Sequence, residues 1–209
     1  ILLACSRAGF VACPSPHRNH TVGEVAEMLA RLRAAAFFYQ PGYGSDAGRE
    51  GRVDAIRDAA GTLASLQHGY RLPALAPGDA RCAPFDGLLV DGARCGLPPL
   101  VATNPDKVSY IAFTSGSTGN PKGVLYSHRS NMLHALAKCL ADAEAVRHGD
   151  RVLPVVPMFH ANAWGFPYAC AMMGADLIFP SRFVTPEALT GLIADEQVTL
   201  AGGVPTVRL

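Results

Sequence analysis

The sequence predicts an α/β protein built on a largely parallel sheet, and three observations carry that expectation. Short β-branched and aromatic runs alternate with stretches of helical periodicity. Helix-start chemistry stands directly before several of those stretches. The composition is that of a packed domain: 49% of residues are hydrophobic and 17% charged, with 21 glycines and 16 prolines among 209 residues and no fixed period. Disorder, collagen and coiled coil are thereby excluded. Eighteen basic residues against 17 acidic ones leave a net charge of +1, which gives no general pull toward nucleic acid or an anionic membrane. Any partner has to be argued from a local site.

Ile1 to Gly9 lacks the basic flank and cleavage site of a signal peptide and reads as an internal helix lacking its start. Thr21-Val22-Gly23-Glu24 is a capping box, and Val25, Met28, Leu29 and Leu32 follow at helical spacing. Ala36–Tyr39 is the next strand, Gln40–Gly51 a glycine-rich loop, and Ala55–Leu66 a second helix. Residues 1–72 thus form the first βα units. Residues 73–106 are proline-rich with weak periodicity and read as a variable connection. Order returns at Val108–Phe113, an apolar, β-branched and aromatic run expected as a buried strand. A short strand at Val124–Tyr126 follows, then a helix marked by Met132, Leu133, Leu136 and Leu140. Beyond it come a strand at Val152–Phe159, a helix at Ala161–Met173, a strand at Ala175–Phe179, a helix started by Thr185-Pro186, and a last strand at Val198–Ala201.

Six cysteines at 5, 13, 82, 95, 139 and 170 form no C-x-x-C pair, so they read as scattered buried thiols of a reducing, cytoplasmic setting rather than zinc ligands. Val152 to Ala175 runs 24 residues without Asp, Glu, Lys or Arg, long enough to span a bilayer. Pro154, Pro157 and Pro167, with His160 and Asn162, argue instead for strand, loop and helix inside an α/β domain.

The sharpest chemical signal is Thr114-Ser115-Gly116-Ser117-Thr118-Gly119-Asn120-Pro121-Lys122-Gly123, directly after the buried strand. Glycines let the backbone turn its N–H groups toward an anion, hydroxyls donate further hydrogen bonds, and a lysine adds a compact positive charge. Polyphosphate is the natural guest. The spacing is neither a Walker loop nor the dinucleotide fingerprint, and Gly123-Val124-Leu125-Tyr126 exits as strand rather than helix. A Ser/Gly hairpin loop without ligand is the structural alternative.

These ten residues resemble the T-S-G-S-T-G-x-P-K-G loop of the adenylate-forming superfamily, which includes acyl-CoA synthetases, peptide-synthetase adenylation domains and firefly luciferase. The resemblance implies part of that family's large N-terminal domain, with flavodoxin-like βα units around largely parallel sheets. It also implies that Thr114, Ser115, Gly116, Ser117, Thr118, Gly119 and Lys122 hold the phosphates of ATP while a carboxylate attacks the α-phosphorus. Lys122, Thr118 and His160 are the implied catalytic residues, and Thr118 the implied contact to Mg²⁺.

Val156-Pro157-Met158-Phe159-His160-Ala161 places a histidine after a buried strand. By residue type alone it is either a hydrogen-bonded core histidine or a site residue. The string is similar to a family motif beside the acyl-adenylate and the thiol entry, with His160 in the matching place. Continued through Asn162-Ala163-Trp164-Gly165-Phe166-Pro167-Tyr168, it resembles the fatty-acyl-CoA synthetase branch, where the tryptophan gates the acid tunnel. His128 and His134 are typical of that branch too, or simply cap the helix after the loop. Gly202-Gly203-Val204-Pro205-Thr206 is similar to a turn bordering the acyl pocket, which implies Gly203, Val204 and Thr206.

The implied activity is ligation of a fatty or related apolar carboxylic acid to coenzyme A, with ATP consumed and acyl-AMP between the two steps. An aryl, alicyclic or amino acid as substrate, or a non-catalytic nucleotide-binding remnant, are the alternatives. The family's Y-G-x-T-E motif and C-terminal lid are expected beyond Leu209, so the chain is expected to turn over little alone. A homodimer is compatible with the resemblance.

Overall fold

A computed structural model describes residues 1–14, 20–39, 52–71, 83–97, 99–114, 121–180 and 184–204, which divide between two compact units. One unit comprises 1–15, 100–114 and 122–209, and the other 16–99 and 115–121. The chain opens in the first with helix α1 (Leu2–Ala8), ended by Gly9 at φ 77°. The left-handed turn is one that glycine adopts without penalty.

In the second unit the capping box forms as expected. Thr21 Oγ1 accepts from the Glu24 backbone N–H at 3.2 Å, and the Glu24 carboxylate accepts from the Thr21 N–H at 2.6 Å. Helix α2 (Val22–Leu32) then buries Val25, Met28 and Leu29. Strand β1 (Ala36–Tyr39) follows. Helix α3 (Arg52–Ala60) ends six residues before the expected Leu66, where Gly61 and the turn after it close the helix. Strand β2 (His68–Arg71) runs parallel to β1, and β3 (Ala83–Pro84) parallel to β2. Val25, Leu29, Ile56 and Ala60 form the core of this unit, each large aliphatic contributing about 1.5–3 kcal/mol by burial. The proline-rich stretch expected as a connection carries helix α4 (Phe85–Cys95), whose weak periodicity hid it. The glycine-rich loop at 40–51 lies outside the described residues.

The first unit resumes at β4 (Val108–Thr114), in which Ser109, Tyr110, Ala112 and Phe113 are buried. Burial on both faces explains why its apolar residues do not alternate with polar ones, and the one buried polar side chain between them, Ser109, bonds the Ser6 hydroxyl at 2.9 Å. It pairs antiparallel with β5 (Lys122–Ser127), while Ala12 bridges Tyr110 on the other side in parallel. Ser127 caps helix α5 (His128–Lys138), accepting from the Ser130 N–H at 3.1 Å; the cap is therefore neither His128 nor His134. The apolar positions that announced α5 do not face the core: Met132, Leu133, Leu136 and Leu140 are exposed, and Asn131, Ala135 and Lys138 are buried. The Lys138 ammonium is paired with Glu144 and lies 4.6 Å from the centroid of the Phe166 ring, so its charge is compensated on two sides.

Strand β6 (Arg151–Pro154) stops five residues short of the expected Phe159, since Pro154 and Pro157 cannot donate to a ladder. The helix expected over Ala161–Met173 is two elements. A single turn α6 (Ala161–Trp164) runs left-handed, and Gly165 at φ 78° separates it from helix α7 (Phe166–Met173). Pro167 is tolerated because it falls in the first turn of α7, where no backbone donor is needed. Strand β7 (Asp176–Leu177), helix α8 (Pro186–Asp195) capped by Thr185, and strand β8 (Leu200–Gly202) complete the unit. The sheet order is β7-β6-β8, all parallel, around Val146, Val152, Phe166, Ala169 and Cys170. Among the described residues, Cys5, Cys13, Cys95, Cys139 and Cys170 are free thiols, and no helix is long and apolar enough to cross a membrane.

Candidate active site

The hairpin register sets Thr114 directly opposite Lys122, and the Thr114 hydroxyl donates to the Lys122 carbonyl at 3.4 Å. The two ends of the polar loop are thus held side by side, both residues exposed. The Lys122 side chain is exposed at the end of the loop. A Cβ on Gly123 would meet Ile111 Cγ2 at 3.2 Å, a tight contact that the Ile111 side chain would have to relieve. Ser115, Gly116, Ser117, Thr118 and Gly119 lie outside the described residues, as does Thr206. Among the described residues no three His, Cys, Asp or Glu side chains cluster to hold a metal.

The acyl-pocket candidates gather at the carboxyl end of the parallel sheet. Pro154 of β6 pairs with Gly202 of β8, and the N–H groups of Val155 and Val156 both donate to the Gly202 carbonyl, at 2.8 and 3.3 Å. Gly203 lies beside Val155, with an added Cβ 3.5 Å from Val155 Cβ, and Val204 is exposed. Carboxyl ends of parallel strands are where α/β sheets offer a ligand crevice. His160 follows through a turn, its N–H bonded to the Pro157 carbonyl at 2.9 Å, and is exposed.

After His160 the backbone does something unusual. Ala161, Asn162, Ala163 and Trp164 have φ of 44°, 50°, 50° and 54°, four successive non-glycine residues in the left-handed region, at about 1–2 kcal/mol each. Trp164 leaves the turn half-buried against the Val146–Phe166 cluster. Ala163 and Asn162 are fully buried.

A polar seam ties β4 and α1 to this region. Tyr110 stacks on Tyr126 at 4.4 Å and on Tyr168 at 6.3 Å. Burial raises the Tyr168 phenol, and hydrogen bonds to Ser6, Asn131 and Ser109 oppose that rise. Asn162 Nδ2 donates to the Tyr168 hydroxyl at 3.5 Å. His134, from α5, stands against Gly165, where a Cβ would lie 3.3 Å from its Cε1. Burial first, then the Lys138 charge, holds its imidazole below the ordinary value.

Two positions were not singled out by the sequence. Gly202 is the sterically committed glycine, since a Cβ there would stand 2.4 Å from Phe166 Cε2; the doubled Gly202-Gly203 was the available signal. Asn162 stands out in the sequence only as a polar residue in an apolar run.

Residues 1–208 match the AMP-binding enzyme family. The medium-chain-fatty-acid–CoA ligase of Ectopseudomonas oleovorans is 51% identical over 123 residues, covering 59% of this chain and 22% of that protein. The long-chain-fatty-acid–CoA ligase of Thermus thermophilus is 41% identical over 158 residues, 75% of this chain and 27% of that protein. The chain therefore spans about a quarter of these relatives' length. The solved N-terminal domain of FACL13 from Mycobacterium tuberculosis superposes with a TM-score of 0.74 at 27% identity, over 99% of this chain and 46% of that one.

Proposed function

Because the chain belongs to the AMP-binding enzyme family, we propose that it supplies the phosphate-loop and acyl-pocket units, within residues 107–209, of an ATP-dependent acid–thiol ligase. The acid is fatty or a related apolar carboxylic acid. Its carboxylate attacks the α-phosphorus of ATP, pyrophosphate leaves, and the thiol sulfur of coenzyme A then attacks the acyl carbonyl and expels AMP. The observation that carries this reading is the pairing of Thr114 with Lys122 across the ends of the Thr/Ser/Gly loop. A cation and a hydroxyl fixed at the mouth of a glycine-rich loop stabilise charge that develops on transferring phosphate.

In this reading Thr114, Ser115, Gly116, Ser117, Thr118, Gly119 and Lys122 hold the phosphates, with Thr118 as the contact to Mg²⁺. His160 stands beside the acyl-adenylate, Trp164 gates the acid, and Gly203, Val204 and Thr206 border it. The free thiols fit a cytoplasmic setting. The relatives' names, medium- and long-chain fatty-acid–CoA ligases, support the acid class.

The test is acid-dependent exchange between ATP and labelled pyrophosphate by the protein at its native length, across short to long aliphatic acids. Exchange that rises with an apolar aliphatic acid is expected. Exchange only with aryl or amino acids would move the substrate class, and exchange with none would overturn the ligase reading.

A further inference from the structure

We infer that Asn162 is a positioning residue: the left-handed backbone that asparagine adopts readily sets the turn that leads from His160 to Trp164. Five successive residues, from Ala161 to Gly165, hold positive φ. Of these, only Asn162 and Gly165 are types that visit that region readily. Asn162 sits inside the turn rather than at its end, and its carbonyl accepts from the Gly165 N–H at 3.0 Å. It is therefore the residue on which the left-handed course closes into Gly165 and α7.

The side chain supports the same assignment. Asn162 is fully buried, its Nδ2 reaches the Tyr168 hydroxyl at 3.5 Å, and its Oδ1 has no hydrogen-bond partner among the described residues. A buried amide kept only for packing would be replaced without loss by an apolar residue of similar size, since an unpaired buried acceptor is costly. What an apolar β-branched residue would lose is the backbone conformation, because positive φ is an outlier for it. Asn162 is retained for where it points the chain.

That Trp164 borders the acid rests on the ligase reading above, whereas the placement of the turn does not, and the experiment separates the two. Trp164 is the only tryptophan among these 209 residues, so in the native-length protein the difference between spectra recorded with and without Trp164→Phe isolates its emission and its quenching by acrylamide. Asn162→Val is compared with Asn162→Gly, which keeps the backbone freedom and loses the carboxamide, with far-UV dichroism as the folding control. In Asn162→Val, Trp164 emission is expected to move to longer wavelength and its quenching to rise. The KM for the acid is expected to rise about tenfold, the scale of one strained residue, with the KM for ATP unchanged. Asn162→Gly is expected to keep the wild-type emission and acid KM. Should Asn162→Val not fold, Asn162→Ala takes its place with the same expected direction. Unaltered Trp164 emission in the folded Val or Ala variant overturns the inference, as does a Gly variant perturbed as much as Val. If the wild type shows no exchange, the ligase reading falls and the emission comparison still decides the role of Asn162.

Discussion

Replacing Gly202 with alanine puts one methyl group where the fold has left no room. The ideal Cβ lies 2.4 Å from Phe166 Cε2 and 3.0 Å from Cζ. Carbon atoms settle at about 3.5–4.0 Å, so the ring or the end of β8 must retreat by roughly 1 Å. The ring has little freedom to do so, being 2% exposed and enclosed by Val146, Val152, Ala169 and Cys170. Overpacking of this kind costs about 1–3 kcal/mol. For a cooperative unit of about 150–250 residues each kcal/mol lowers the melting temperature by roughly 2–4 °C, which predicts a fall of about 2–12 °C by circular dichroism, and less in a larger unit. Gly203→Ala is the control: its Cβ would meet Val155 Cβ at 3.5 Å, an ordinary contact, and should cost no more than about 0.5 kcal/mol. Phe166→Leu shortens the obstructing ring, so Gly202→Ala should cost about 0.5–3 kcal/mol less in that background. A Gly202→Ala protein melting with the wild type, or strict additivity with Phe166→Leu, would refute the packing argument.

Lys122→Ala should lower acid-dependent pyrophosphate exchange about 10²–10³-fold, as loss of one preorganised donor to a developing charge does, while the melting temperature stays near wild type because the side chain is exposed. Thr21→Ala removes the α2 cap and should destabilise by about 0.5–2 kcal/mol in thermal unfolding. The Thr21 backbone N–H and then its hydroxyl hold the Glu24 carboxyl below its ordinary range. Glu24 therefore stabilises above the unfolded carboxylate value of about 4.3, and the effect disappears as pH falls through the lower folded value. A melting-temperature series from pH 6 down should fall less steeply in that acid range for Thr21→Ala than for wild type. Burial pushes the Cys13 thiol up to about 12 and Cys170 to about 11. Mass mapping after iodoacetamide at pH 8 should therefore find exposed Cys95 alkylated in the native protein, and Cys13 and Cys170 only after denaturation.

What local chemistry decides was legible in the sequence. The Thr21–Glu24 box, the Thr185 cap and the buried Val108–Phe113 run each involve residues a few positions apart, and each formed. The pairing of strands on either side of the polar loop was legible only as a strand exit, because register belongs to two segments at once. The α5 stripe misled because Met132, Leu133 and Leu136 look like a core face, whereas Ala135 and Asn131 are what fit beneath α7 and Tyr168. The Ala161–Trp164 turn looks like ordinary helix in the sequence for a related reason. Alanine is a strong right-handed helix former, whereas Asn162 and Gly165, the two residues of the turn that take positive φ readily, stand among alanines. His160 and the Gly202–Val204 turn were found as motifs, but their common position at one sheet end needed the Pro154–Gly202 pairing.

The antiparallel partnership of Thr114 and Lys122 also makes the length of the intervening chain a matter of parity. Side chains along a strand alternate between faces, and seven residues separate the two partners. Gaining or losing one residue there, with the strands slipping to accommodate it, would turn the lysine to the opposite face of the hairpin and offer Gly123 or Pro121 in its place. Gaining or losing two would keep its face and shift it by one step. With the strands in this register, an odd change in the number of intervening residues is the change that would reverse the face on which the lysine stands.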